Sequence, residues 1–181
     1  MKYIWLLEQD SQKRGIPILG SEKGEWLLSI IKNHQPEKIL ELGTANGYSG
    51  IILGSEGAEL ITLELNPKIA EEAQTNFTKH NIDAIIIVGD AVENTHKLIE
   101  KFDIIFIDFA KKKYIEVLDK CLELLNTGGI LIADNISMEG CQDFKESVLH
   151  HPELDTEIID IKDGLSYSIK VWINSLQNES T

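Results

Sequence analysis

Four residues in the middle of the chain carry side chains suited to holding a cation and moving a proton. Asp108 ends the apolar run Phe102–Asp108 and Lys111 lies three residues further on, while Asp134 and Asn135 follow the run Ile130–Ala133. Two carboxylates and an amide supply hard oxygen ligands, which suit Mg2+, Ca2+ or Mn2+ with water or substrate completing the shell. No His or Cys stands beside them, which disfavours zinc. Next to a divalent cation the Lys111 ammonium gives up its proton more readily, as a general base must. The competing reading is that these acids cap helices and Lys111 is solvated.

A second constellation, Glu41-Leu42-Gly43-Thr44-Ala45-Asn46-Gly47-Tyr48-Ser49, breaks an apolar run with a glycine-spaced turn and then enters a helix-compatible stretch. Such a turn brings backbone N–H groups to a ligand without Cβ interference. The spacing is Glu-x-Gly-x-x-x-Gly with no Lys in the loop, so it matches neither the dinucleotide fingerprint nor a P-loop. Glu64, followed by Leu65, lies about twenty residues past the loop start, where an acid can accept from both ribose hydroxyls of a nucleoside. Asp90 and Ala91 fall where an adenine would lie. Both acids have a plainer reading, Glu64 as a helix-capping acid beside Pro67 and Asp90 as an N-cap.

These residues need strands that end in a common crevice, and the hydrophobic pattern supplies them. Residues 1–8 read as a short amphipathic helix and Ser11–Gly20 as a loop broken by Gly15, Pro17 and Gly20. A helix starts at Ser21 with a Trp26, Leu27, Ile30, Ile31 stripe. Lys38–Leu42, Glu59–Glu64, Ala84–Val88, Phe102–Asp108 and Ile130–Ala133 read as strands. Between them, Tyr48–Leu53, a stretch starting at Pro67, Ala91–Glu100 and Tyr114–Leu125 read as helices. Asp143–His150 is a further helix, and Leu154–Asp160 and Leu165–Trp172 form a closing strand pair around a Lys-Asp-Gly turn. Alternating continuous apolar strands and helices imply a doubly wound α/β sheet with one antiparallel strand at the end. In such sheets ligands bind outside the carboxyl ends of the strands, where all the residues above are placed.

Composition sets the bounds. A chain of 181 residues with 43% hydrophobic and 26% charged residues reads as one globular domain, residues 1–181. A net charge of −13 argues against a broad nucleic-acid or anionic-membrane surface. Cys121 and Cys141 have no metal spacing, no apolar stretch approaches bilayer length, and the apolar N-terminal run is too short for a signal peptide. A cytoplasmic location is the expectation.

Together the motifs resemble the cation-dependent O-methyltransferases, the group containing catechol and caffeoyl-CoA O-methyltransferases, over roughly Ile16 to Val171. The matching segments are Ile18–Gly24, Leu40–Ser49, Thr62–Pro67, Phe106–Tyr114, Gly128–Asn135 and Asp163–Leu165. The resemblance implies a class I S-adenosylmethionine (SAM) methyltransferase fold, Rossmann-like, with seven strands and an antiparallel last strand. It implies SAM held by Leu19, Glu41, Gly43, Thr44, Ala45, Tyr48 and Ser49, with Glu64 and Leu65 at the ribose and Asp90, Ala91 and Asp108 completing the donor site. It further implies a cation on Asp108, Asp134 and Asn135, Lys111 as base, and Lys111, Asn135 and Glu157 against the substrate. The expected reaction moves the SAM methyl group to a hydroxyl of a small, catechol-like acceptor, and a homodimer is possible.

The chain departs from the family pattern in three places. Only sixteen residues precede Pro17, the stretch from Asn135 to Glu157 is short and lacks an aromatic after the Asp-Asn pair, and Ala110 replaces a second acid. These changes imply a more open acceptor pocket. One alternative is a tRNA hydroxyuridine O-methyltransferase using the Lys111-Lys112-Lys113 cluster. Another is a SAM-binding regulatory protein without turnover.

Overall fold

A computed structural model describes residues 4–172 of the chain. Five strands, β1 (Lys38–Leu42), β2 (Glu59–Glu64), β3 (Ala84–Val88), β4 (Phe102–Ile107) and β5 (Leu125–Asp134), pair in parallel. Two more, β6 (Leu154–Ile159) and β7 (Leu165–Lys170), complete one sheet of order β3-β2-β1-β4-β5-β7-β6, in which β7 is antiparallel to both neighbours. Strand order reverses between β1 and β4, which creates the crevice characteristic of doubly wound sheets.

Strand register puts the functional residues on one rim. Leu63, Leu42, Ile107 and Ala133 form a continuous cross-strand row. The residues that follow them are Glu64, Gly43, Asp108 and Asp134, all at the carboxyl edge. Side chains alternate across the sheet. Leu40, Leu42, Ile105 and Ile107 pack towards α5 (Ala91–Lys97), α6 (Tyr114–Leu124) and α7 (Gln142–His150). Ile39, Ile104, Phe106 and Ile132 pack towards α2 (Ser21–His34), α3 (Tyr48–Leu53) and α4 (Pro67–His80). Burial on both faces explains why these strands read as unbroken apolar runs.

Several boundaries differ from the sequence reading. The first helix, α1, spans Ile4–Arg14, so part of the expected 11–20 loop is helical; residues 1–3 of the expected helix lie outside the described residues. Tertiary contacts carry that extension. Ser11 is buried and its Oγ accepts from Asn46 Nδ2 at 2.7 Å, and Arg14 forms a two-pronged pair with Glu72 at 2.6 and 2.8 Å. Helix α5 stops at Lys97 because Leu98 is already extended. Strand β5 begins at Leu125, directly after α6, and continues through Thr127-Gly128-Gly129, five residues ahead of the Ile130 start read from the sequence. Strand β7 ends at Lys170, short of Trp172. No helix among the described residues is long and apolar enough to cross a membrane.

Candidate active site

The glycine loop is built by close backbone approach. Gly43 has φ +105°, and a Cβ there would lie 2.0 Å from the Asp108 carbonyl oxygen, so only glycine fits. Leu63 O accepts from both Gly43 N and Thr44 N (3.0 and 3.1 Å), which fastens the loop to β2. Gly47, at φ +89°, turns the chain into α3. Asn46 is fully buried; its Nδ2 donates to Ser11 Oγ at 2.7 Å, and its carbonyl accepts from Asn76 Nδ2 at 2.9 Å. The loop is thus anchored to α1 and α4.

Two adjoining clefts open on the rim. One, of about 410 Å3, is lined by Leu19, Gly43, Thr44, Ala45, Tyr48, Ser49, Asp108, Lys111, Asp134 and Asn135, with Pro17, Ile18, Phe109 and Met138. The other, of about 330 Å3, is lined by Glu64, Leu65, Asp90 and Ala91 and shares Gly43, Ala45, Asp108 and Phe109 with the first. Nearly all the residues singled out in the sequence therefore face one elongated crevice.

Glu41 and Glu157 do not line it. Glu41 has no exposed surface and stands behind the loop, accepting from Ser49 Oγ (2.5 Å) and Thr62 Oγ1 (2.6 Å). Burial pushes its carboxyl up to about 8 against those two hydroxyls, with the Asp108 and Glu64 charges adding to the rise. Glu157 pairs with Tyr167, which pairs with Ile132. It is exposed in the body of the sheet, two residues short of the Ile159–Leu165–Asp134 row at the mouth. A residue count along β6 could not fix that register.

On the donor side, Glu64 is more than a capping acid. It straps the loop to β2, accepting from Ala45 N and Asn66 N (both 2.9 Å), while Asn66 itself caps α4. Asp90 does cap α5, accepting from Val92 N and Glu93 N, and its other oxygen pairs with Lys113 Nζ at 2.8 Å. The Lys113 ammonium and those amides hold Asp90 below the usual carboxylate range.

On the other side, Lys111 Nζ donates to Asp108 Oδ1 (2.5 Å) and to Tyr114 Oη (3.1 Å). Tyr114 is wholly buried between Phe109 and Phe144. Asp134 is almost completely buried; desolvation and the nearby Asp108 charge push it up to about 6, against the pull of Lys23. Lys23 donates to Asp134 Oδ1 and Asp163 Oδ1, and Asn135 Nδ2 donates to Asp163 Oδ2 at 2.5 Å. Burial alone would raise Asp163, yet its bonds to Lys23 and Asn135 hold it below its ordinary value. Two acids and an amide, with neighbouring carboxylates that repel one another, fit an oxygen-seeking cation. No group of three or more His, Cys, Asp or Glu converges among the described residues.

Lys23, Asp163 and Tyr114 were not picked out as functional from the sequence. Lys23 did leave a trace, because it shares a helix face with Leu27 and Ile31, at intervals of four, and a lysine on a buried stripe needs an acid. Asp163 stood in the matching Asp163–Leu165 segment but was given no role.

Comparison with known proteins gives the family. The O-methyltransferase family model matches residues 7–171. Catechol O-methyltransferase B of Danio rerio is 38% identical over 143 residues, covering 72% of this chain and 54% of the relative. The chain spans between about half and three quarters of the length of the curated relatives it matches. The crystal structure of a candidate caffeoyl-CoA O-methyltransferase from Staphylococcus aureus superposes with a TM-score of 0.85 at 26% identity, covering 92% of this chain and 91% of that one. The tomaymycin-synthesis O-methyltransferase of Streptomyces achromogenes, solved with SAM, has the same fold, with a TM-score of 0.86 at 21% identity, covering 95% and 91% of the two chains. With the family's fold and the residues of its motifs gathered on one rim, this chain belongs to the O-methyltransferase family.

Proposed function

We propose that the protein catalyses SAM-dependent, cation-assisted methylation of a hydroxyl on a small acceptor, most simply one of a vicinal pair. The observation that carries this reading is the shared wall of the two clefts. Gly43 and Asp108 border both, so a donor held by the glycine loop and Glu64 lies against an acceptor held near Asp108, Asp134 and Asn135.

SAM, when bound, supplies an activated sulfonium methyl group. The cation, when bound, supplies positive charge that acidifies a chelated hydroxyl. The rest falls to the chain. Tyr48 and Ser49, at the start of α3, bind and orient the donor's amino-acid end, and Glu64 offers carboxylate oxygens to the ribose. Leu19 and Ile18 wall the crevice and exclude water. Asp108, Asp134 and Asn135 are the residues that would hold the cation, and Lys111 Nζ, in its uncharged amine form, takes the acceptor's proton. Holding the acceptor oxygen in line with the donor's C–S bond is the main catalytic contribution.

Pairing within the lysine cluster favours a small acceptor over tRNA. Lys111 is bound to Asp108 and Lys113 to Asp90, both inside the crevice, which leaves Lys112 as the outward charge. The test is incubation with labelled SAM and Mg2+ alongside catechols, hydroxycinnamoyl thioesters and tRNA. Label in a vicinal-diol acceptor is expected; SAM binding without transfer to any of them would favour a regulatory protein.

A further inference from the structure

The closing β6–β7 turn reaches into the site from a part of the chain that carries none of the proposed ligands. Lys162 and Gly164 adopt left-handed conformations (φ +56° and +76°), which turn the Asp163 side chain towards the loop that follows β5. The two segments are stitched together: Ser137 N donates to Asp163 O at 3.0 Å and Ile136 N to Gly164 O at 3.3 Å. Asn135, itself left-handed at φ +56°, then places its amide against the Asp163 carboxylate.

A carboxylate with no proton can only accept hydrogen bonds, so the group facing Asp163 Oδ2 must be Asn135 Nδ2. The amide is planar, so its Oδ1 is turned away from Asp163, and Asn135 forms part of the cleft wall. The other Asp163 oxygen accepts from Lys23, which also donates to Asp134 Oδ1. That same Asp134 oxygen accepts from Asn135 N at 2.7 Å, leaving Oδ2 as the carboxylate oxygen without a protein partner among the described residues.

We propose that Asp163 is the positioning residue of the cation site. It locks the Asn135 amide with its carbonyl oxygen presented to the crevice. Asp163 touches neither cation nor substrate. The proposal rests on the cation-assisted reading above, and its test separates the two.

The test is a double-mutant cycle of Asp163→Asn and Asn135→Ala in the full chain, read as Mn2+ affinity from the EPR signal of free Mn2+. Calorimetric SAM affinity, which these substitutions leave within about twofold, reports folding. An amide at position 163 no longer dictates which end of Asn135 faces it. Asp163→Asn therefore weakens Mn2+ binding roughly 10- to 100-fold, as loss of an outer-shell partner does. On the Asn135→Ala background the same change has less than about a threefold effect, because the group it orients is gone. Equal losses on both backgrounds, or undiminished Mn2+ affinity in Asp163→Asn, would overturn the proposal. No Mn2+ binding by the unsubstituted protein would instead overturn the cation-assisted reading. Where Asp163→Asn also abolishes SAM binding, Asp163→Glu takes its place in the cycle, keeping Lys23 neutralised while displacing the oxygens from Asn135, and the same outcomes decide.

Discussion

Gly43 and Asp108 meet backbone to backbone, so closely that a methyl group on Gly43 would sit 2.0 Å from the Asp108 carbonyl oxygen. The relationship joins the two halves of the site, because the first glycine of the donor loop rests on the strand end that carries a proposed cation ligand. Gly43→Ala must displace Asp108 and adopt φ +105°, a region closed to side chains. We expect a loss of at least about 2 kcal/mol in stability by urea denaturation, the scale of a strained backbone plus a clash. SAM affinity falls with it. Unchanged stability would mean that the loop and β4 separate freely.

The loop also depends on α1. Ser11 is the acceptor for Asn46 Nδ2, and Asn46 Oδ1 already lacks a partner among the described residues. Ser11→Ala leaves the whole buried amide unsatisfied, at a cost of about 1–3 kcal/mol. Calorimetry should show a lower Tm and weaker SAM binding, although residue 11 lines neither cleft. An effect on Tm alone would show that the loop tolerates movement of its anchor.

Glu41 gives a pH signature. Its carboxyl is pushed from an ordinary 4.5 up to about 8 by burial, so the folded state binds the proton more tightly than the unfolded state. A raised value contributes stability that is complete below about 4.5 and is lost as pH climbs towards 8. The protonated form suits its surroundings, since it can donate to Thr62 Oγ1, which lies 2.5 Å from Thr44 Oγ1, while still accepting from Ser49. Glutamine can make the same bonds without titrating. The Tm of Glu41→Gln, measured from pH 5 to 8, should therefore fall less steeply than that of the unsubstituted protein; parallel curves would contradict a protonated, buried Glu41.

Lys111 can be separated from binding. Lys111→Met removes the proposed proton acceptor and should lower kcat by roughly 10²- to 10⁴-fold. SAM affinity should change little, because the Glu64 side of the crevice is untouched. A fall in SAM affinity with kcat preserved would make Lys111 a donor-site residue.

The fold was legible because both faces of the sheet's central strands are buried, so runs such as Ile104–Ile107 and Ile130–Ala133 have no polar face to disguise them. The rim was legible too, since Gly43, Glu64, Asp108 and Asp134 each follow such a run. What the sequence concealed depends on distance through space. Asn46–Ser11 and Arg14–Glu72 bonds extend α1 where local glycine and proline signals suggest a loop. Lys23 and Asp163 meet across 140 positions of sequence. Glu157 is an acid near the end of a strand, but only cross-strand register shows that it lies level with Ile132 and not with Asp134.

The central claim is that donor and cation halves act on one acceptor. Its most direct measurement is transfer of label from SAM to a vicinal-diol acceptor, with Mg2+ and with EDTA, in the unsubstituted protein and in Asp134→Ala. The expected result is transfer with Mg2+, loss of transfer with EDTA, and loss in Asp134→Ala while SAM still binds. Full activity of Asp134→Ala in EDTA would contradict it.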